Sequence, residues 1–172
     1  MKSNIFLKNY FYFFLFLTYF LISIFIVKDY GISVDEEFHR YSGFYWLNYI
    51  LEFTQFDNLK LEVSTKLNSI SGHTLPNPEL FPFYGVTFDL PLAFLETIFN
   101  IDNSKNYFLL RHYFNFLIFF IGSIFFFLIL KNRFKDKHII ILGILLYLSS
   151  PRIFGDSFYN NKDIIFLSLI TI

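Results

Sequence analysis

HYFNFLIFFIGSIFFFLIL, residues 112–130, runs for nineteen residues without a full charge, and KNRFKDK, 131–137, follows at once with four basic residues and one acid. An uncharged stretch of that length covers the ~30 Å of a hydrocarbon core at ~1.5 Å per helical residue. The basic tail gives it a direction, because short Lys/Arg-rich segments stay on the cytoplasmic side. The whole chain agrees with a membrane reading: hydrophobic residues make up 55%, charged residues 16%, and 28 of 172 residues are Phe. A soluble domain of this size needs more charge to cover its surface. A formal net charge of zero gives no field that would attract nucleic acid. The absence of cysteine removes disulfides, thiolate metal sites and cysteine nucleophiles.

Further apolar runs place the rest of the chain around this one. Tyr10–Val27 is eighteen residues without a charge, preceded by Lys2 and Lys8. A cleaved signal peptide is the competing reading. The run exceeds the ~7–15 residues of such a segment, and KDYGIS after it has no small-x-small cleavage site. A shorter run starts at His138 and can cross if it extends to Phe154 or if the bilayer thins locally. A last one covers 164–172, where it is incomplete as a span. The expected architecture is therefore an all-α polytopic membrane protein, with spans at about 10–27, 112–130 and 138–154 and part of a fourth at 164–172.

With the N-terminus and 131–137 inside, residues 28–106 form a large outer loop, and 151–163 return to the same face. The outer loop holds eleven acids and five basic residues, a net of −6, which suits an exported segment. Within it, Phe38, Tyr41, Tyr45 and Tyr49 make a helical stripe of interfacial character. Residues 57–79, with Gly72, Pro76 and Pro78, read mostly as loop. Residues 80–99 have the length of a span, but Asp89, Glu96, Pro82 and Pro91 predict an interfacial or re-entrant helix instead.

GISVDEEFHRY, 31–41, brings acids, a histidine and an arginine to the point where the first span ends. Ser33-x-x-Glu36 fits a capping box, and Asp35 and Glu36 in a first helical turn suit the helix dipole. Glu36 with Arg40, and Asp35 with His39, have the i,i+4 spacing of helical pairs. The same geometry holds a carboxylate at the membrane surface, where it can take a proton or hold a metal ion. SPRIFGDSFYNNKDIIF, 150–166, adds Arg152, Lys162 and Asp163 to that face, and Arg111 lies at the outer end of 112–130. Cations at headgroup depth facing acids are what a phosphate-linked lipid requires.

This arrangement resembles the C-type (GT-C) membrane glycosyltransferases, whose first span ends in an outer-loop Asp-Glu pair, here YGISVDEEFHRY. FPFYGVTFDLP, RHYFNF and SPRIFGDSFYNNKDIIF look like the branch holding the protein mannosyltransferases and the lipid A aminoarabinose transferases. In that branch the last string has proline where this chain has Asn161. The resemblance covers the whole chain and implies the N-terminal third of a longer enzyme, inactive on its own. It implies transfer of a sugar from a polyprenyl-phosphate donor to a lipid, glycan or protein acceptor on the non-cytoplasmic face. Carried over, Asp35 is the catalytic carboxylate with Glu36 as partner, and Asp163 with Lys162 forms a second acidic site. Arg111 and Arg152 are the candidates for phosphate contact, Lys162, His39 and Arg40 are further substrate-binding candidates, and Asp35 and Asp163 are the candidates for a divalent metal if one is used. Membrane lipids and the polyprenyl-linked sugar are the expected partners. The abundance of Phe, Ile, Asn and Lys points to AT-rich coding and a bacterial inner membrane, with the active face periplasmic. A lipid-linked sugar transporter and an inactive membrane stub are the alternative readings.

Overall fold

The computed structural model describes the backbone of residues 3–70, 75–81 and 85–172, with side chains from Tyr10 onward. Lys2, Gly72 and Pro82, all used in the sequence reading, lie outside the described residues, as does part of FPFYGVTFDLP. The described residues are all-helical, with no strand among them. The helices are α1 (Ser3–Ile26), α2 (Glu36–Leu51), α3 (Asp57–Ile70), α4 (Asp89–Ile98), α5 (Ser104–Arg133), α6 (Lys137–Ser149), α7 (Pro151–Tyr159) and α8 (Asp163–Thr171), with 3-10 turns at Val27–Asp29 and Pro78–Leu80.

Among the described residues two segments are long and apolar enough to cross a membrane, Tyr10–Asp29 and Ser104–Arg133, and α6 with α7 makes a third if that bent pair is one span. The second starts eight residues before the uncharged run. Asn103 Oδ1 accepts the Lys105 N–H at 2.9 Å and caps it, while Lys131 and Arg133 close its last turn, where the helix dipole favours cations. The expected 138–154 span is not one helix. α6 stops at Ser149, and Pro151 at the first position of α7 starts a new axis bent by 53° from it. Proline has no N–H to continue the ladder and its ring excludes the preceding turn, so the break falls where the residue type requires it.

α5 is the centre of the assembly and packs against α6, α7 and α8. Its apolar core joins Phe116 and Phe119 to Ile144, Leu148, Phe158 and Ile164. α1 is attached chiefly through rings, with Phe16 and Phe20 edge-on or tilted against Phe120. α5 and α8 approach closely at small residues: a Cβ on Gly122 would lie 2.9 Å from Ser168 Cβ, and Thr171 Oγ1 lies 3.2 Å from the Gly122 carbonyl. That is how apolar helices pack when burial from water supplies no drive between them.

A second, smaller core joins α2, α3 and α4 through Phe44, Leu47, Leu51, Val63 and Ala93. Here the structure corrects one reading. Residues 57–70 are a helix rather than loop, because Leu59, Val63, Leu67 and Ile70 fall on one face and pack into this core. The polar residues that suggested a loop occupy its other face. On α2 the buried face is Glu36, His39, Arg40, Gly43, Phe44, Leu47 and Leu51, while Tyr41 and Tyr45 are only half-buried and Tyr49 is exposed. The aromatic stripe is thus the outer face, and the inner face carries charges.

α2 and α4 cross at Gly43, where an added Cβ would stand 2.5 Å from the Asp89 carbonyl oxygen. Backbone must move to admit a side chain there. Gly43→Ala is expected to cost about 1–3 kcal/mol, the usual range for overpacking, read as a lowered Tm in detergent. An unchanged Tm would show that the crossing is loose.

Candidate functional site

Between the two cores lies a layer of buried ionisable side chains. Asp89 opens α4 and is 3% exposed. Its Oδ1 accepts from Arg111 Nη1 at 3.0 Å and from Asn161 Nδ2 at 2.9 Å, and its Oδ2 lies 3.2 Å from His39 Nδ1. One carboxylate therefore ties α2, α4, α5 and the turn before α8 together. Burying it is tolerable only because cation and hydrogen-bond donors surround it. Arg111 Nε and Nη2 have no hydrogen-bond partner among the described residues, so Asp89 is its one direct anionic contact there.

Two further pairs flank this hub. Glu36 Oε2 lies 2.8 Å from His112 Nε2, and its Oε1 accepts the Ser33 N–H at 2.7 Å. The reach-back half of the capping box is present. The other half is not: Asp35 takes the cap position, with no side-chain hydrogen bond to the helix. Arg40 Nε lies 3.1 Å from both carboxylate oxygens of Glu96, its Nη2 also donates to Glu96, and its guanidinium lies 3.7 Å from the centre of the Tyr107 ring. The helical pairs expected from spacing, Glu36 with Arg40 and Asp35 with His39, are replaced by these long-range ones. Partners on the helices packed against this face take their place, because each buried charge needs a partner where it is buried. Farther out, Tyr45 donates to Glu79, and that bond, with some burial, pushes its phenol up to about 12.

A cavity of about 400 Å³ opens beside the hub. Its lining includes His39, Asp89, Asn161, Lys162 and Asp163, together with Ile165, Phe166 and Leu169 of α8. Lys162 and Asp163 reach it because Asn160 and Asp163 cap one another, with Asp163 N–H donating to Asn160 Oδ1 at 3.0 Å and Asn160 Nδ2 to Asp163 Oδ2 at 3.1 Å. Asn161 has a role that a proline could not fill: its amide anchors this turn to Asp89.

The residues singled out in the sequence separate into three groups. His39, Lys162 and Asp163 line the cavity, and Arg111 supports its wall through Asp89. Asp35 is exposed, one residue before Glu36. Glu36 lines a small void that shares Phe88 and Asn161 with the cavity. Arg40 and Arg152 are not brought to the cavity. Arg40 is engaged with Glu96, and Arg152 is 87% exposed with its Nε 3.7 Å from Asp156. Among the described residues no three of His, Asp and Glu converge as metal ligands. Asp89, Glu96, His112 and Asn161 were missed as site residues. The available signal was Asp89 and Glu96 seven apart in an apolar helix, hence on one face, which requires partners elsewhere.

These features define an all-α chain with two helices fit to cross a membrane and a buried ionic layer beside a mixed polar and apolar cavity. Comparison with known protein families, with curated proteins and with solved structures finds no match for this chain.

Proposed function

We propose that the chain belongs to a membrane glycosyltransferase that uses a polyprenyl-phosphate-linked sugar on the non-cytoplasmic face. The observation that carries this reading is the cavity. Its lining brings Lys162 and Asp163 together with Ile165, Phe166 and Leu169. A phosphate attached to a hydrocarbon chain needs both. In this reading Tyr10–Asp29 leads out of the cytoplasm and Ser104–Arg133 returns to it, with the basic segment 131–137 inside. α2, α3 and α4 then lie at the outer surface.

In the proposed reaction an acceptor oxygen bonds to the anomeric carbon as that carbon's bond to the phosphate oxygen breaks. Asp35, exposed at the start of α2, takes the acceptor's proton. The pair of electrons leaves with the polyprenyl phosphate, whose added negative charge Lys162 stabilises. Asp89, Arg111 and Asn161 hold the Lys162–Asp163 turn and do not touch the reacting atoms. Arg40 and Arg152 have no part in it.

The test is binding of undecaprenyl phosphate to the purified chain in nanodiscs, with undecaprenol as the uncharged control. The phosphate is expected to bind far more tightly than the alcohol. Lys162→Gln should weaken the phosphate by at least about tenfold, the usual worth of one charged hydrogen bond, and leave the alcohol unchanged. Equal affinity for phosphate and alcohol would remove the reading.

A further inference from the structure

A second cleft, of about 270 Å³, lies where the two long helices meet at one end. Lys28, Tyr30 and Ile32 line it from the segment after α1, and Ser104, Lys105 and Leu109 from the first turns of α5. We propose that this cleft binds the phosphodiester headgroup of an anionic bilayer phospholipid, held between Lys28 and Lys105. The proposal rests on the reading that Tyr10–Asp29 and Ser104–Arg133 cross a bilayer.

The two lysines differ from the cations engaged in the interior. Arg40, Lys66 and Arg111 are each committed to a carboxylate. Lys28 and Lys105 are exposed, and among the described residues neither pairs with one. Lys28 follows directly on the uncharged run of α1, and Lys105 is the second residue of α5. If both helices cross, both ammonium groups stand at headgroup level on the same side of the bilayer. The acids nearby do not occupy the cleft. Glu36 faces His112 at 2.8 Å, and Asp29, though next to Lys28 in the chain, is not among the lining residues. The end of α5 is already capped by Asn103, so the site rests on the two ammonium groups. Ser104 and Tyr30 add hydroxyls that can donate to phosphate oxygens. Ile32 and Leu109 give apolar cover of the kind a glycerol backbone and upper acyl chain require. The cavity beside Asp89 is a separate place, lined by different residues.

The full chain in phosphatidylcholine nanodiscs, with trace photoreactive phosphatidylglycerol, tests this by mapping the labelled residues. Labelling is expected at residues 28–32 and 104–109. Unlabelled phosphatidylglycerol should suppress it better than phosphatidylcholine, by about fivefold for each lysine. K28Q/K105Q should reduce labelling to the phosphatidylcholine level without changing the Tm. Equal competition by the two lipids, or labelling that survives in the double variant, overturns the proposal. Competition by undecaprenyl phosphate but not by phosphatidylglycerol gives the cleft to the donor and also overturns it. A chain that fails to insert into nanodiscs removes the bilayer reading as a whole. A chain that inserts but shows no lipid preference removes this inference alone.

Discussion

Asp89→Ala is expected to destabilise the fold by about 3–5 kcal/mol, the cost of leaving a buried charge without its partner. The charge is Arg111, 4% exposed, whose other nitrogens Nε and Nη2 find no acceptor among the described residues. The same substitution releases Asn161 and with it the turn that carries Lys162 and Asp163. Removing both charges is a different experiment. In Asp89→Leu/Arg111→Met no ion remains to be desolvated, and apolar side chains of similar size can fill the space. The double variant is therefore expected to be more stable than Asp89→Ala, despite carrying more changes. Thermal unfolding in detergent, followed by far-ultraviolet circular dichroism, measures both. If the double variant is no more stable than Asp89→Ala, Arg111 is not the charge that Asp89 compensates, and the ionic layer does not hold the two cores together.

The readable parts of this fold were those that depend on local pattern. The uncharged runs at 10–27 and 112–130 became α1 and α5, since hydrocarbon length and helical rise are fixed quantities. The break at Pro151 was not anticipated, although proline supplies a local reason for it. Residues 57–70 were misread because their apolar positions are diluted by polar ones on the outer face, and only the partner α2 shows which face counts. The ionic layer was least legible. Glu36, His39 and Arg40 sit within one helical turn and a half, and spacing pairs Glu36 with Arg40 and His39 with Asp35. Their actual partners are 50 to 76 residues away in the chain. Nothing local encodes that choice. It follows from which helices pack, and from the cost of burying a charge alone.

The neighbouring acids Asp35 and Glu36 give the second large effect, because the structure assigns them opposite environments. Glu36 is 4% exposed, paired with His112 and with the Ser33 N–H. Its carboxylate is committed to holding the start of α2 against α5. Glu36→Gln should lower stability and affect activity only in proportion to the folded protein lost. Asp35 is exposed and does not cap its helix. Asp35→Asn should therefore leave stability within about 0.5 kcal/mol, as for most surface substitutions. If Asp35 removes the acceptor's proton, the same substitution lowers turnover by about 10²–10⁴-fold. A purely structural Asp-Glu pair would not produce this separation of activity from stability.

The most direct test is turnover of undecaprenyl-phosphate-linked sugars in membranes from cells expressing the protein as its gene encodes it. Wild type, Asp35→Asn and Glu36→Gln would be compared at equal amounts of folded protein. Release of undecaprenyl phosphate by the wild type, its loss in Asp35→Asn, and its retention in Glu36→Gln is the predicted result. Full turnover in Asp35→Asn, or no turnover of any such donor by the wild type, would contradict it.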